Sequence, residues 1–388
     1  MNKKEYLNQP VVKEFTSYLS NLIDGNEYFK HEYYWYDEKK DIYFDSFLDA
    51  LYKYEWPFRY TDRFINEVKT GKSLHDNKTC LESFSKGLVS AIGNGDLKAC
   101  QNYCLMILDW GGVLYQNEDK ILSLGSILPE YLACCIRLFN GPDITCNDKY
   151  KVSVNGESID VIMNAGFTKI YSLICSSFII YDGRVGGALG YLETNFYKKT
   201  GNAQSKLLSF HYGSARGKQI RNPSVNNFKF SILSAGNVHT RDNLKANWLL
   251  AEALENQTSL KGDKATLIRD IECALFMIGY DFPELKPKDE SKDKVENYST
   301  RSSSKDSKVT ADLVRTFALQ LIKEGLKTRA SIEFTSSDIK KELGGDLTAI
   351  CSALKKPTFF YQSGVTLEII DTPPSGLGKV TYRAKKAA

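Results

Sequence analysis

The stretch GFTKIYSLICSSFIIYDG, residues 166–183, holds two opposite charges, Lys169 and Asp182, at the ends of an otherwise apolar segment. Together these residue types can do chemistry. A lysine withdrawn from water loses its proton more readily, and the neutral amine is a nucleophile. A nearby carboxylate can stabilise developing positive charge or accept a proton, and the electrostatic effect grows in a dry setting. A plainer reading stands beside this one. In it Lys169 faces water from the first turn of a helix, and Asp182 only caps the next helix.

Two helices must position the pair. The residues between Lys169 and Asp182 read as a helix that buries most of its surface, and GRVGGALGYLETNFYKK continues as a second. Gly186, Gly187 and Gly190 in the second would permit close approach of backbone or of another helix. The loop HYGSARGKQIRNPSVNN follows, with Arg216, Lys218 and Arg221 close together. Both a phosphate clamp and a solvated loop suit these three, and His211 reads as a surface or structural histidine and not a catalytic one. Further helices are expected in NQPVVKEFTSYLSNLI, in CLESFSKGLVSAIGNGDLKACQNYCLMILDWGG with a break at its Gly-Asn-Gly, in NLKANWLLAEALENQ and in KATLIRDIECALFMIGY. Between the first two lies an aromatic region. Its Tyr33, Tyr34, Trp35 and Trp56, with Trp110 downstream, could stack on bases, although packing between helices is the preferred reading. YKVSVNGESIDVI alternates around Asn155-Gly156 and predicts a tight β-hairpin.

Length and composition bound the rest. The chain has 388 residues, enough for two or three domains, and its 42% hydrophobic and 25% charged residues are ordinary for a globular protein. No run of about 18 apolar residues exists, so no membrane span is expected. MNKKEYLNQPVVKEF lacks the apolar core of a secretory signal. Nine cysteines without a CxxC pair, and four histidines far apart, point to a reduced cytoplasmic protein with no disulfide framework, no metal site and no cofactor.

Residues 286–308, KPKDESKDKVENYSTRSSSKDSK, contain almost nothing apolar and read as a disordered linker. They separate a mainly α part, 1–285, from a small part, 309–388. The small part has twelve Lys and Arg against eight Asp and Glu, which accounts for the whole net charge of +4. It reads as three helices, TADLVRTFALQLIKEGL, FTSSDIKKELGG and DLTAICSALKKP, then two alternating runs, GVTLEII and GKVTYRA. That order resembles a winged helix-turn-helix. Its third helix and wing would meet nucleic acid, with Lys355, Lys356, Lys379 and Arg383 on phosphates, unless the module binds protein instead.

The Lys169–Asp182 segment resembles the helix-hairpin-helix DNA glycosylases, in particular their 8-oxoguanine glycosylase branch. In that branch a lysine lies just inside the helix after a hairpin, and a short loop delivers an aspartate in an apolar V-D-x-H-V context. GFTKIYSLI matches the helix start, with Thr168-Lys169 in place, and IIYDGRVGGALGYL matches the aspartate and the helix after it. MNAGFTKIYSLI, YDGRVGGALG and RNPS look characteristic of a bacterial group with this fold, some members of which lie in phage-defence loci. Two departures are visible. The hairpin carries Ala165-Gly166-Phe167 where the family has two glycines around an apolar residue, and the loop before Asp182 is shorter. No four-cysteine cluster follows, so no iron–sulfur cluster is implied.

The resemblance implies a helix-hairpin-helix glycosylase-like helical module, with its catalytic segment at 160–192, followed by the winged helix-turn-helix domain. Its partner would be double-stranded DNA with one base flipped out. Lys169 and Asp182 would be catalytic, and Gly166, Thr168 and Arg184 would join Arg216, Lys218 and Arg221 on DNA. The activity implied is excision of a damaged or modified base, a phage-specific one in antiviral defence, with strand cleavage if Lys169 forms a Schiff base. A non-catalytic DNA-binding protein on the same scaffold is the alternative.

Overall fold

The structure, a computed structural model, describes the chain except residues 143, 147–148, 216, 234–236, 286–310, 344–346, 355–365, 372–379 and 386–388. The chain divides into two units, Met1–Asp289 and Glu290–Ala388. The expected linker, 286–308, lies outside the described residues.

The first unit is mainly helical with three small antiparallel hairpins. In order it runs α1 (Lys3–Leu7), α2 (Pro10–Ile23), β1 (His31–Trp35), β2 (Lys40–Phe44), α3 (Phe47–Tyr52), β3 (Glu55–Asp62), β4 (Glu67–Ser73), α4 (Leu74–Gly93) and α5 (Leu97–Trp110). Then come α6 (Glu118–Ser123), α7 (Leu128–Phe139), β5 (Lys151–Val154), β6 (Glu157–Asp160), α8 (Ala165–Ile174), α9 (Gly183–Thr200), α10 (Asn237–Asn256) and α11 (Lys264–Ile278). The β5–β6 turn falls at Asn155-Gly156, where both residues take the positive φ that a two-residue hairpin demands. The aromatic region expected between helices forms hairpins β1–β2 and β3–β4. His31, Tyr33 and Trp35 alternate inward while Glu32 and Tyr34 face out. That period of two is a strand signal, hidden because aromatics occupy both faces.

Helix α8 is buried on every side, as an all-round apolar helix must be, and packs on α4, α5 and α7. The helix preceding it, α7, is joined to it by residues 140–164, which contain β5 and β6, instead of by a tight turn. The helix expected between Lys169 and Asp182 is also shorter than its apolar run. It stops at Ile174, and Ser177 takes φ 55° in the non-helical segment that follows.

The second unit contains α12 (Ala311–Thr328), β7 (Ser331–Thr335), α13 (Ser336–Leu343), α14 (Leu347–Leu354), β8 (Thr366–Asp371) and β9 (Thr381–Lys385). Its three-stranded antiparallel sheet has the order β7-β9-β8 and packs its own core, with Phe334 stacked on Tyr382. Strand β7 is an addition to the three helices and two runs read from sequence. Among the described residues no helix is long and apolar enough to cross a membrane.

Candidate active site

Asn164 begins α8. Its side chain accepts the N–H groups of Gly166 (2.8 Å) and Phe167 (3.1 Å), so the first donors of the helix are satisfied from within the protein. Lys169 follows one turn later, 6% exposed, and its Nζ donates to the Ala165 carbonyl at 3.2 Å. The water-facing lysine of the plainer reading is thereby overturned.

Asp182 arrives by a buried, irregular segment, and such backbone needs partners for its polar groups. Helices α10 and α11 supply them. Asn247 accepts the Ile179 N–H (2.9 Å), Glu272 accepts the Ile180 N–H (2.6 Å), Asn243 donates to the Ile179 carbonyl (3.0 Å), and the His239 ring meets the Tyr181 carbonyl (2.6 Å). The segment ends with Asp182 as the N-cap of α9. Its Oδ1 accepts from Arg184 N–H (2.9 Å) and Val185 N–H (3.1 Å). Its Oδ2 lies 3.9 Å from Lys169 Nζ. The capping reading of Asp182 holds through Oδ1, and its second oxygen faces the lysine.

Burial drives the Lys169 amine below its ordinary value, and the positive charge of Arg184 adds to this, while Asp182 and Glu272 oppose it. For Asp182 burial pushes upward, but Lys169, Arg184 and the two capping N–H groups outweigh it and hold the carboxyl below the usual range. Glu272 is raised by burial, against the pull of Arg269, whose guanidinium lies 2.7 Å from both of its oxygens.

Lys169 and Asp182 share the wall of one cavity of about 280 Å³. This is at the small end of sites that hold small molecules, about 300–1,000 Å³. Trp56 and Trp110 line it, as do Phe276, Arg184 and Arg221. Asn77 ties the two tryptophans together, accepting from Trp110 Nε1 (3.1 Å) and donating to the Trp56 carbonyl (3.2 Å). An aromatic-lined cavity in which the Lys169 amine faces the Asp182 carboxylate can hold a flat group and act on an electrophilic carbon beside it. Comparison of the chain with protein-family models, with curated proteins and with solved structures returned no match.

Several expected DNA contacts are corrected. Gly166 and Thr168 are buried, their N–H groups are taken by Asn164, and the Thr168 hydroxyl faces the Ala165 and Tyr181 carbonyls. Neither can grip a phosphate, because the Asn164 cap already fills that role. Arg184 is not a surface contact either. It is 9% exposed, with its guanidinium carbon 3.9 Å from the Trp56 ring centroid, 4.4 Å from Phe276 and 5.0 Å from Tyr280. Arg221 lines the cavity and donates to the Tyr280 carbonyl, whereas Lys218 is exposed on the loop. Arg383 pairs with Glu333 at 2.6 Å, because strand β7 places that glutamate opposite it. Arg216, Lys355, Lys356 and Lys379 lie outside the described residues.

Of the candidate aromatics, Trp56 and Trp110 reach the cavity. Trp35 stacks behind Trp56 at 6.0 Å, Tyr33 is buried in the core, and Tyr34 faces outward against Tyr36. His211 binds Asp242 at 2.7 Å, a structural pairing. Glu272, Arg269, Asn77 and Gly111 were missed. For the first two a signal existed: both are charged residues within the apolar text IRDIECALFMI.

Proposed function

We propose that the protein is a DNA N-glycosylase that flips a damaged or modified base out of the duplex and excises it, with a β-elimination step through Lys169. The observation that carries this reading is the amine and carboxylate 3.9 Å apart in a tryptophan-lined cavity of about 280 Å³. Breaking a bond to the sugar C1′ builds oxocarbenium character, which the Asp182 carboxylate stabilises. The neutral Lys169 amine attacks C1′ as the N-glycosidic bond breaks, and the bonding electron pair leaves with the base. Asp182 Oδ2 takes the proton released from the new ammonium. Opening of the sugar ring gives a Schiff base, from which β-elimination cuts the strand. Flipping costs a few kcal/mol, offset by contacts of the base with the Trp110 side of the cavity.

In the second unit, the order α12–β7–α13–α14–β8–β9 supports a winged helix-turn-helix reading, with α14 and the β8–β9 wing on DNA. Paired Lys355→Glu and Lys356→Glu changes should then weaken duplex binding and flatten its salt dependence.

The deciding experiment incubates the full chain with duplexes carrying a panel of damaged and modified bases, and with phage genomic DNA. Released bases are identified by mass spectrometry, and a covalent adduct is sought by borohydride trapping. Release of a base and an adduct lost in Lys169→Met support the reading. No base released from any substrate, with duplex binding intact, overturns it in favour of a non-catalytic DNA-binding protein.

A further inference from the structure

Arg184 is the buried cation that the excision chemistry leaves unused. Among the described residues its guanidinium makes no hydrogen bond or ion pair, and three rings pack on it. Three other polar side chains of the cavity wall are engaged. Asn77 Oδ1 is held by Trp110, Arg269 by Glu272 and Lys78 by Asp270. Arg184 therefore offers the wall a planar fork of donors, packed against three aromatic rings beside Asp182.

We infer that Arg184 is a specificity-determining residue that reads the flipped base, selecting one with two adjacent acceptors on a single edge. The O6/N7 edge of a 6-oxopurine presents such a pair and accepts the arginine fork bidentately. Adenine offers an amine at the same place, which would face the guanidinium donor to donor. This inference rests on the glycosylase reading for the base's role as substrate. Its recognition chemistry rests on the cavity alone.

The test titrates the full chain with hypoxanthine and with adenine, two free bases of like size that differ at that edge, and follows tryptophan fluorescence. Hypoxanthine should bind about tenfold tighter. Arg184→Lys keeps the charge but loses the fork, and should bring the two within about twofold. A thermal melt shows whether that variant folds; if it does not, the wild-type comparison decides by itself. Equal binding of the two bases to the wild type, or an unchanged preference in folded Arg184→Lys, overturns the inference. A hypoxanthine preference without excision from any duplex overturns the glycosylase reading and leaves this one standing. Excision of deoxyadenosine and deoxyinosine at equal rates does the reverse.

Discussion

Lys169 runs across the face of Gly111 with no room for a further atom. A Cβ built on Gly111 would lie 2.5 Å from Lys169 Cε and closer still to Cδ. Gly111 is the C-cap of α5, with an ordinary φ of −78°, so its lack of a side chain serves the lysine and not the backbone. Gly111→Ala should push the amine off its line of attack. Displacement of a reacting group by about 1 Å costs roughly a hundredfold, and borohydride trapping should fall by that order while duplex affinity stays within about threefold. Unchanged trapping would mean that Lys169 reaches its target from another position.

The divided work of Asp182 gives a pair of variants with different signatures. Asp182→Asn keeps an oxygen on the Arg184 and Val185 N–H groups, so stability should hold while excision falls by about two orders of magnitude or more. Asp182→Ala removes the cap as well and should lose about 1 kcal/mol in a urea melt. If both lose stability alike, the cap is not what Oδ1 provides.

Titration of Lys169 sets a pH dependence with a defined sign. Trapping needs the free amine, so its rate should rise with pH and level off below the ordinary lysine value of about 10.4. The stability effect follows from the same direction. The unfolded chain holds the proton to higher pH than the folded protein, so this position's contribution to stability rises with pH. The window runs from the lowered native value up to about 10.4. For Asp182, held low, the contribution is present at neutral pH and fades in acid as pH falls through the native value. Urea melts of wild type and Lys169→Met across pH 7 to 10 should show the gap moving in favour of the wild type. A gap that does not move would mean the buried amine is not displaced from its usual value.

Asn77 braces both tryptophan walls through its single amide. Asn77→Ala should cost about 2 kcal/mol, since it leaves the Trp110 N–H and the Trp56 carbonyl without their partner. Fluorescence anisotropy should report greater tryptophan mobility, and free-base binding should weaken. Unaltered anisotropy would place the rigidity of the walls elsewhere.

Gly186 packs against the His211 carbonyl so closely that an added Cβ would collide with it. Gly186→Ala should therefore cost roughly 2–3 kcal/mol by forcing α9 from the loop that carries His211. Because α9 holds both the Asp182 cap and Arg184, excision should fall together with stability. A melting temperature equal to wild type would show that the loop yields freely.

The sequence by itself determined the local pieces. Asp182 before GRVGGALG is a cap in any fold, because its oxygen needs only the next N–H groups of the same chain. Asn155-Gly156 fixed the β5–β6 turn through backbone sterics alone. The apolar run after Lys169 required burial, whatever buried it. Tertiary structure decided the rest. Where α8 ends depended on Asn243, Asn247, His239 and Glu272, which satisfy the backbone of 179–181 from helices sixty to ninety residues away. The 3.9 Å between amine and carboxylate follows from that ending. Arg184 reads as a DNA contact in the chain and is a caged cation in the fold, because Trp56 from β3 and Phe276 and Tyr280 from the end of α11 converge on it. Spacing along one helix is a local property. A cavity is made where distant segments meet, and its electrostatics belong to the meeting.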